Sequence, residues 1–509
     1  MVEKNKDDLE IPNKGPELVI GLVGALGTDL DLVVQNVEKQ LGAVGYQTRL
    51  IHLTKYLSKI DEFKHSLSAE PLEDYIASRQ DAGNIFREKL GLGDALGRLA
   101  ISVIRQIRKS NNGIPDQPIS RCAYIIRQLK HPEEVFLLRS IYGPSFYLVA
   151  AYSPRDIRTQ RLASKIANSH NSMNADNYRE KAEKLIMRDR QETDNKYGQN
   201  VRDTFPEADV FFDASNTDRL RRSVERFIEL IFGYPFHTPY ADEFAMFHAT
   251  AAAVRSADLA RQVGAVITSN DGDVIAVGTN EVPKAGGGLY WAGDVPDYRD
   301  FVLGKDNSRE MKKSALGDVL ERLQGNGWLS PEKNGIGTKE LIERALPIMR
   351  GTRLMGIGEF GRTVHAEMAA LLDAARRGVS VQGQTLYTTT YPCHNCARHI
   401  IGTGINRVVY IEPYPKSLAS VLHSDSIIIE SCEEVRNKVV FEPFVGIAPR
   451  QYLQLFSMAR RRDDNGEMIS WKKYGAVPRF PGPTAHLSYT YHEVAVLEEF
   501  RKKLDSIDS

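Results

Sequence analysis

Cysteine is scarce in this chain: Cys122, Cys393, Cys396 and Cys432 are the whole supply in 509 residues. So few thiols exclude a disulfide framework. Net charge is missing too, with 66 lysines and arginines against 66 aspartates and glutamates. That balance removes any global electrostatic pull toward nucleic acid or an anionic membrane, leaving only local basic pockets. No run is apolar for long enough to cross a bilayer, and the charged start, Met1 to Lys14, lacks the apolar core of a signal peptide. The expectation is a soluble cytoplasmic protein. No internal repeat or low-complexity tract stands out, and the length exceeds what one core usually organises, so two domains are expected.

What is present begins with an apolar run, Leu18 to Val23, a turn Gly24-Ala25-Leu26-Gly27-Thr28, and a helical pattern from Leu30 to Leu41. Further strand-like runs at Ala123 to Ile126, Phe146 to Ala151 and Val210 to Asp213, with charged helical segments between them, predict a parallel α/β sheet. The helical stretch Thr217 to Phe232 breaks at Gly233-Tyr234-Pro235, which places the domain boundary there: 1–235 and 236–509. The second part reads as a helix over Glu243 to Arg261 and a hairpin of Val263 to Thr268 and Val274 to Gly278. A long lysine- and arginine-bearing segment, about 283–362, has the size of an insertion or lid. Helices at Ala366 to Arg377 and Cys396 to Thr403 alternate with strands at Thr385 to Thr389 and Arg407 to Ile411.

The strongest chemical signal joins His365-Ala366-Glu367 to Pro392-Cys393-His394-Asn395-Cys396. An imidazole and two thiolates supply three of the four ligands that tetrahedral zinc wants, and an open fourth position is the mark of a catalytic site. A redox pair or a closed four-cysteine site is the bland reading, but Cys122 and Cys432 show no second C-x-x-C spacing. Both ligand groups fall at predicted helix N-termini, where the helix dipole favours thiolate. Glu367, two positions after His365, can stay off the metal and relay protons for a water that zinc makes acidic.

H-x-E followed by P-C-x-x-C is the signature of zinc nucleobase deaminases. The surrounding text, including Ser256-Ala257-Asp258, Gln262 to Val266, Gly278-Thr279-Asn280 and Gly404 to Tyr410, resembles the dCMP deaminase branch of the cytidine deaminase superfamily over Glu243 to about Glu430. The resemblance implies a cytidine deaminase-like α/β/α domain in which His365, Cys393 and Cys396 bind zinc and Glu367 shuttles protons. Asn280 would contact the sugar; Ala366 and, by vicinity to the motifs alone, Lys416 are the further candidate substrate-binding residues. Ala369 stands where many dCMP deaminases have asparagine. The amino-terminal half and the ending, Phe444 to Phe456, resemble bacterial anti-phage deaminases that fuse a P-loop kinase-like domain to this module. That implies depletion of dCTP and dCMP, a homo-oligomer, and an inhibitory small RNA.

In the amino-terminal turn, Gly24, Gly27 and Thr28 match a phosphate-binding loop, but Asp29 and Leu30 replace its lysine and hydroxyl residue. Kinase turnover is not expected there. Substrate phosphate is assigned by vicinity to Arg350, Arg353, Arg362 or Lys416. Two rival functions remain: a polynucleotide editor, favoured only by the patch Arg460-Arg461-Arg462 with Trp471-Lys472-Lys473, and a zinc scaffold, which would have no use for Glu367.

Overall fold

The computed structural model describes residues 15–60, 63, 66–192, 195–358, 360–414, 417–430, 437–458, 460–479 and 489–505. They form two compact units, Met1–Phe244 together with Phe444–Ser509, and Ala245–Pro443.

In the first unit, strands β1 (Leu18–Gly24), β2 (Gln47–His52), β3 (Cys122–Arg127), β4 (Phe146–Tyr152) and β5 (Val210–Asp213) form a parallel sheet in the order β5-β4-β1-β3-β2. The central β1 and β4 are buried over nearly their whole length, as strands covered on both faces must be, which is why their sequences are apolar throughout rather than alternating. The helices Leu30–Ala43 and Thr217–Ile231 pack on this sheet through Val33, Val37, Leu41, Val224 and Phe227.

The second unit carries a mixed sheet. Strands β6 (Gly264–Thr268) and β7 (Val274–Thr279) form the expected hairpin, and β6 also pairs antiparallel with β8 (Thr385–Thr390). From β8 the sheet continues in parallel through β9 (Arg407–Glu412) and β11 (Val439–Pro443) to β10 (Ile427–Ile429). The first helix of this region ends at Val254, earlier than the expected Arg261. Polar side chains hold 256–262 as a loop instead: Ser256 Oγ donates to Asn280 O, Glu281 accepts from the Ala257 amide, and Asp258 accepts from those of Ala260 and Arg261. The expected insertion is helical, with Asn307–Gly325 and Thr338–Ile348 joined by a Lys313–Glu343 ion pair of 2.8 Å. Its base is closed by Arg362, which donates to Tyr298 O and Asp300.

The end of the chain departs from the expected division at 236–509. Phe444–Ser509 belong to the first unit, where β12 (Gly446–Ile447) adds antiparallel to β5. The helix Tyr489–Asp505 is fastened there by a buried network: Arg108 pairs with Glu17 at 2.8 Å and Glu493 at 2.7 Å, while Tyr124 and Tyr489 donate to Glu17 and Tyr142 to Glu493. Every charge in that network is paired and hydrogen-bonded, the condition under which buried ions are tolerated.

The helix Ala366–Arg376 lies directly on β7, and Gly278 permits it: a Cβ there would stand 2.0 Å from Ala366 O and 2.4 Å from Ala370 N. We expect Gly278→Ala to push this helix off the sheet and destabilise the chain by roughly 1–3 kcal/mol or more. Denaturant unfolding and metal content of the purified variant test this; unchanged values for both would contradict it.

Candidate metal centre and its cavity

Two helices start at the same place. His365 is the residue before the first turn of Ala366–Arg376, and Cys393 occupies the same position for the helix His394–Gly402. Neighbouring packing fixes both starts: Ala366 and Ala370 are wholly buried against β6 and β7, and Ala397 and Ile400 sit in the same core. Cys396, one turn into the second helix, points back, and its amide donates to Cys393 Sγ at 3.4 Å. The outcome is that His365 Nδ1 lies 3.3 Å from Cys393 Sγ and 3.4 Å from Cys396 Sγ.

One ligand atom from each of these three residues lies within 4.8 Å of the others, so the group could hold a metal ion. Tetrahedral zinc with Zn–S near 2.3 Å and Zn–N near 2.0 Å sets neighbouring ligand atoms about 3.6 Å apart, close to the spacing seen, and two sulfurs with one imidazole are a donor set that suits zinc. The residues fit the ion.

The electrostatics are those of a prepared site. A hydrogen bond from Cys396, then the imidazole of His365, holds the Cys393 thiol well below its usual range. The hydrogen bond to Cys393 in turn raises His365 to about 9, and Cys396, donating to Cys393 and buried, is pushed well above the usual thiol value. Without metal the trio at neutral pH is therefore one thiolate, one imidazolium and one thiol. Glu367 follows on the helix, 4 % exposed, and burial together with the Cys393 charge lifts its carboxyl above the ordinary range. A carboxyl so placed is suited to carrying a proton.

These groups open onto a cavity of about 520 Å³, within the range of small-molecule sites. His365, Ala366, Glu367 and Cys393 line it, and so does Asn280. Asn280 is already committed to backbone: its side-chain oxygen accepts from the Val263 amide at 2.7 Å and its amide donates to Arg261 O at 2.8 Å, which pins the 261–263 rim. Lys416 lies outside the described residues. Of the arginines expected to meet phosphate, Arg350, Arg353 and Arg362 do not line the cavity, and Arg362 is occupied by Asp300. The cationic lining comes instead from Arg261, Arg309 and Lys312. Sequence reading assigned none of the three, and the latter two escape it because an insertion helix gives no local sign of where its first turn will lie.

The glycine turn of the first unit is a different environment. Gly27 takes a φ of +89° and packs against Arg158, so that a Cβ would stand 2.5 Å from Arg158 O. The Leu26 amide donates to Asp189, which is also paired with Lys130, and Asp29 caps the following helix by accepting from the Leu32 amide. With Gly24, Gly27 and Thr28 the turn thus keeps its glycines, but one carboxylate, Asp189, occupies its Leu26 amide and a second, Asp29, caps the first turn of the helix that follows.

Loading the metal site must drive off the His365 imidazolium proton and the Cys396 thiol proton. At pH 7, calorimetric titration of metal-free protein with zinc in buffers of different ionisation enthalpy is expected to show release of about two protons, and affinity should rise with pH, less steeply once His365 deprotonates near 9 because the Cys396 thiol still holds its proton there. Release near zero would contradict this protonation pattern.

Residues 239–412 match the family model of the cytidine and deoxycytidylate deaminase zinc-binding region. Over 54 residues the chain is 48% identical to the deoxycytidylate deaminase of Enterobacteria phage T2, a span of 11% of this chain and 29% of that protein. Against ComE operon protein 2 of Bacillus subtilis it is 47% identical over 53 residues, 10% of this chain and 28% of that protein. The chain thus spans under a third of the length of these relatives. The deoxycytidylate deaminase of Mycobacterium phage D29 is matched more fully: 30% identity over 123 residues covers 23% of this chain and 94% of that protein. A family model that spans the whole ligand set, and a relative matched over nearly its full length, place the result beyond a shared motif: the chain belongs to the cytidine and deoxycytidylate deaminase family.

Proposed function

We propose that the second unit hydrolyses the exocyclic amine of a free cytosine deoxynucleotide, dCMP or dCTP, to give the uracil form and ammonia. The observation that carries this reading is a buried carboxyl, Glu367, beside a three-residue soft-ligand set on a cavity of nucleotide size. His365, Cys393 and Cys396 would hold zinc, leaving room for one further ligand. When bound there, zinc supplies Lewis acidity that makes water nucleophilic near neutral pH.

The remaining work falls to the chain. Glu367 accepts a proton from water at a carboxylate oxygen and delivers it to N3 of the cytosine ring as the water oxygen bonds to C4. The carboxylate so regenerated takes the proton of the C4 hydroxyl and passes it to the amine, the C4–N bond breaks, and ammonia leaves while C4 becomes a carbonyl. Burial serves both steps: a carboxyl lifted above its usual range takes and returns a proton at smaller cost than an exposed one. The backbone rim held by Asn280 bounds the cavity on the side that resemblance assigns to the sugar. Resemblance to anti-phage deaminases also supports a wider role, depletion of dCTP during infection by a cytoplasmic homo-oligomer held in check by a small RNA.

Purified protein and its Glu367→Gln variant, each incubated with dCMP, dCTP, cytidine and a single-stranded oligonucleotide, give the test. Mass spectrometry is expected to find uracil products from the free deoxynucleotides. Glu367→Gln should lower kcat by about 10² to 10⁴, with metal content unchanged. Conversion confined to the oligonucleotide would overturn the substrate class. Intact substrates with metal bound would overturn the activity itself.

A further inference from the structure

The charged side chains lining the cavity differ in how they are engaged. Asp258 accepts from the amides of Ala260 and Arg261, Asp300 is paired with Arg362 at 2.7 Å, and Asp306 caps the insertion helix by accepting from the Arg309 amide at 3.0 Å. Each lining aspartate is therefore engaged. Among the cations, Arg261 has the Tyr414 ring 5.7 Å away and Glu412 at 3.8 Å. Arg309 and Lys312 differ. Both line the cavity from the first turns of Asn307–Gly325, and among the described residues no hydrogen bond or ion pair engages either side chain, although Arg309 lies within electrostatic reach of Glu343. Their neighbour Lys313, by contrast, is paired with Glu343.

Residues three apart on a helix share a face, so the Arg309 guanidinium and the Lys312 ammonium stand side by side, with Ser308 also in the lining. Like charges so placed repel, and an anion lodged between them reverses that cost. A guanidinium offers a planar fork and an ammonium a point charge, a pairing suited to the several oxygens of a phosphate.

We infer that the insertion reads the substrate's phosphate through Arg309 and Lys312, making the enzyme selective for free cytosine 5′-mono- or triphosphates over the nucleoside. This rests on the cytosine-nucleotide reading above. A terminal phosphate carries close to two negative charges, whereas the phosphodiester of a polynucleotide carries one, so the same pair also disfavours bases within a strand.

The test uses full-length, zinc-loaded protein and steady-state kinetics with dCMP, dCTP and deoxycytidine. The double variant R309Q/K312Q is compared with Lys313→Gln, which removes a charge from the same helix but not from the cavity. The double variant is expected to raise KM for both nucleotides on the order of ten- to a hundredfold, with kcat little changed. Deoxycytidine turnover and thermal unfolding should stay as in the parent, and Lys313→Gln should leave nucleotide KM unmoved. Unchanged nucleotide KM in the double variant, an equal rise in Lys313→Gln, or an equal loss on deoxycytidine would each overturn the inference while leaving the deaminase reading intact. Failure of the parent protein to convert any of the three would sink that reading, and this inference with it.

Discussion

Two helix N-termini meet at one point, and each places a metal ligand just before its first turn. Everything else about the site follows from that constraint. His365 and Cys393 stand where backbone amides are unpaired and the helix field favours negative charge. Cys396 returns from one turn further on, and Glu367 takes the second position of the other helix, beside the ligands. Neither helix can shift without scattering the set. Gly278 below one and the alanine-rich contacts of both hold them at backbone distance from the sheet.

The same crowding sets the chemistry. A thiolate, an imidazolium and a thiol within hydrogen-bond distance form a network that stores two displaceable protons, so the empty and loaded forms differ in protonation as well as in metal. Glu367 sits against this network with little exposure, and its raised affinity for a proton comes from burial first and the adjacent sulfur charge second. A carboxyl on an exposed turn would have neither cause. Site and fold are thus bound by burial: the packing that hides Ala366 and Ala370 also removes Glu367 from water.

Much of this was legible in the sequence because its signals are local. The apolar runs of β1, β4 and β5 lie within a residue or so of the expected strands, and H-A-E with P-C-H-N-C names its own ligands. What escaped depends on distant contacts. Glu493, which carries no local mark of its role, is buried against Arg108, almost four hundred residues away in the chain. The two-residue β12 carries no mark of the sheet it joins, so the end of the chain was assigned to the wrong unit. Likewise, nearness in sequence pointed to Arg350, Arg353 and Arg362 as the cavity cations, while the fold brings Arg309 and Lys312 there by the first turns of the insertion helix. The turn with Gly24, Gly27 and Thr28 joins a strand to a helix as the local pattern implies, but the carboxylate of Asp189 on its Leu26 amide is a tertiary fact.

The central claim is that one imidazole and two sulfurs hold zinc and leave a fourth position open. X-ray absorption at the zinc edge of the purified protein measures this most directly. The account predicts two sulfurs at about 2.3 Å and two lighter scatterers at about 2.0–2.1 Å, one of them lost in His365→Ala. A shell of three or four sulfurs, or one unchanged in that variant, would contradict it.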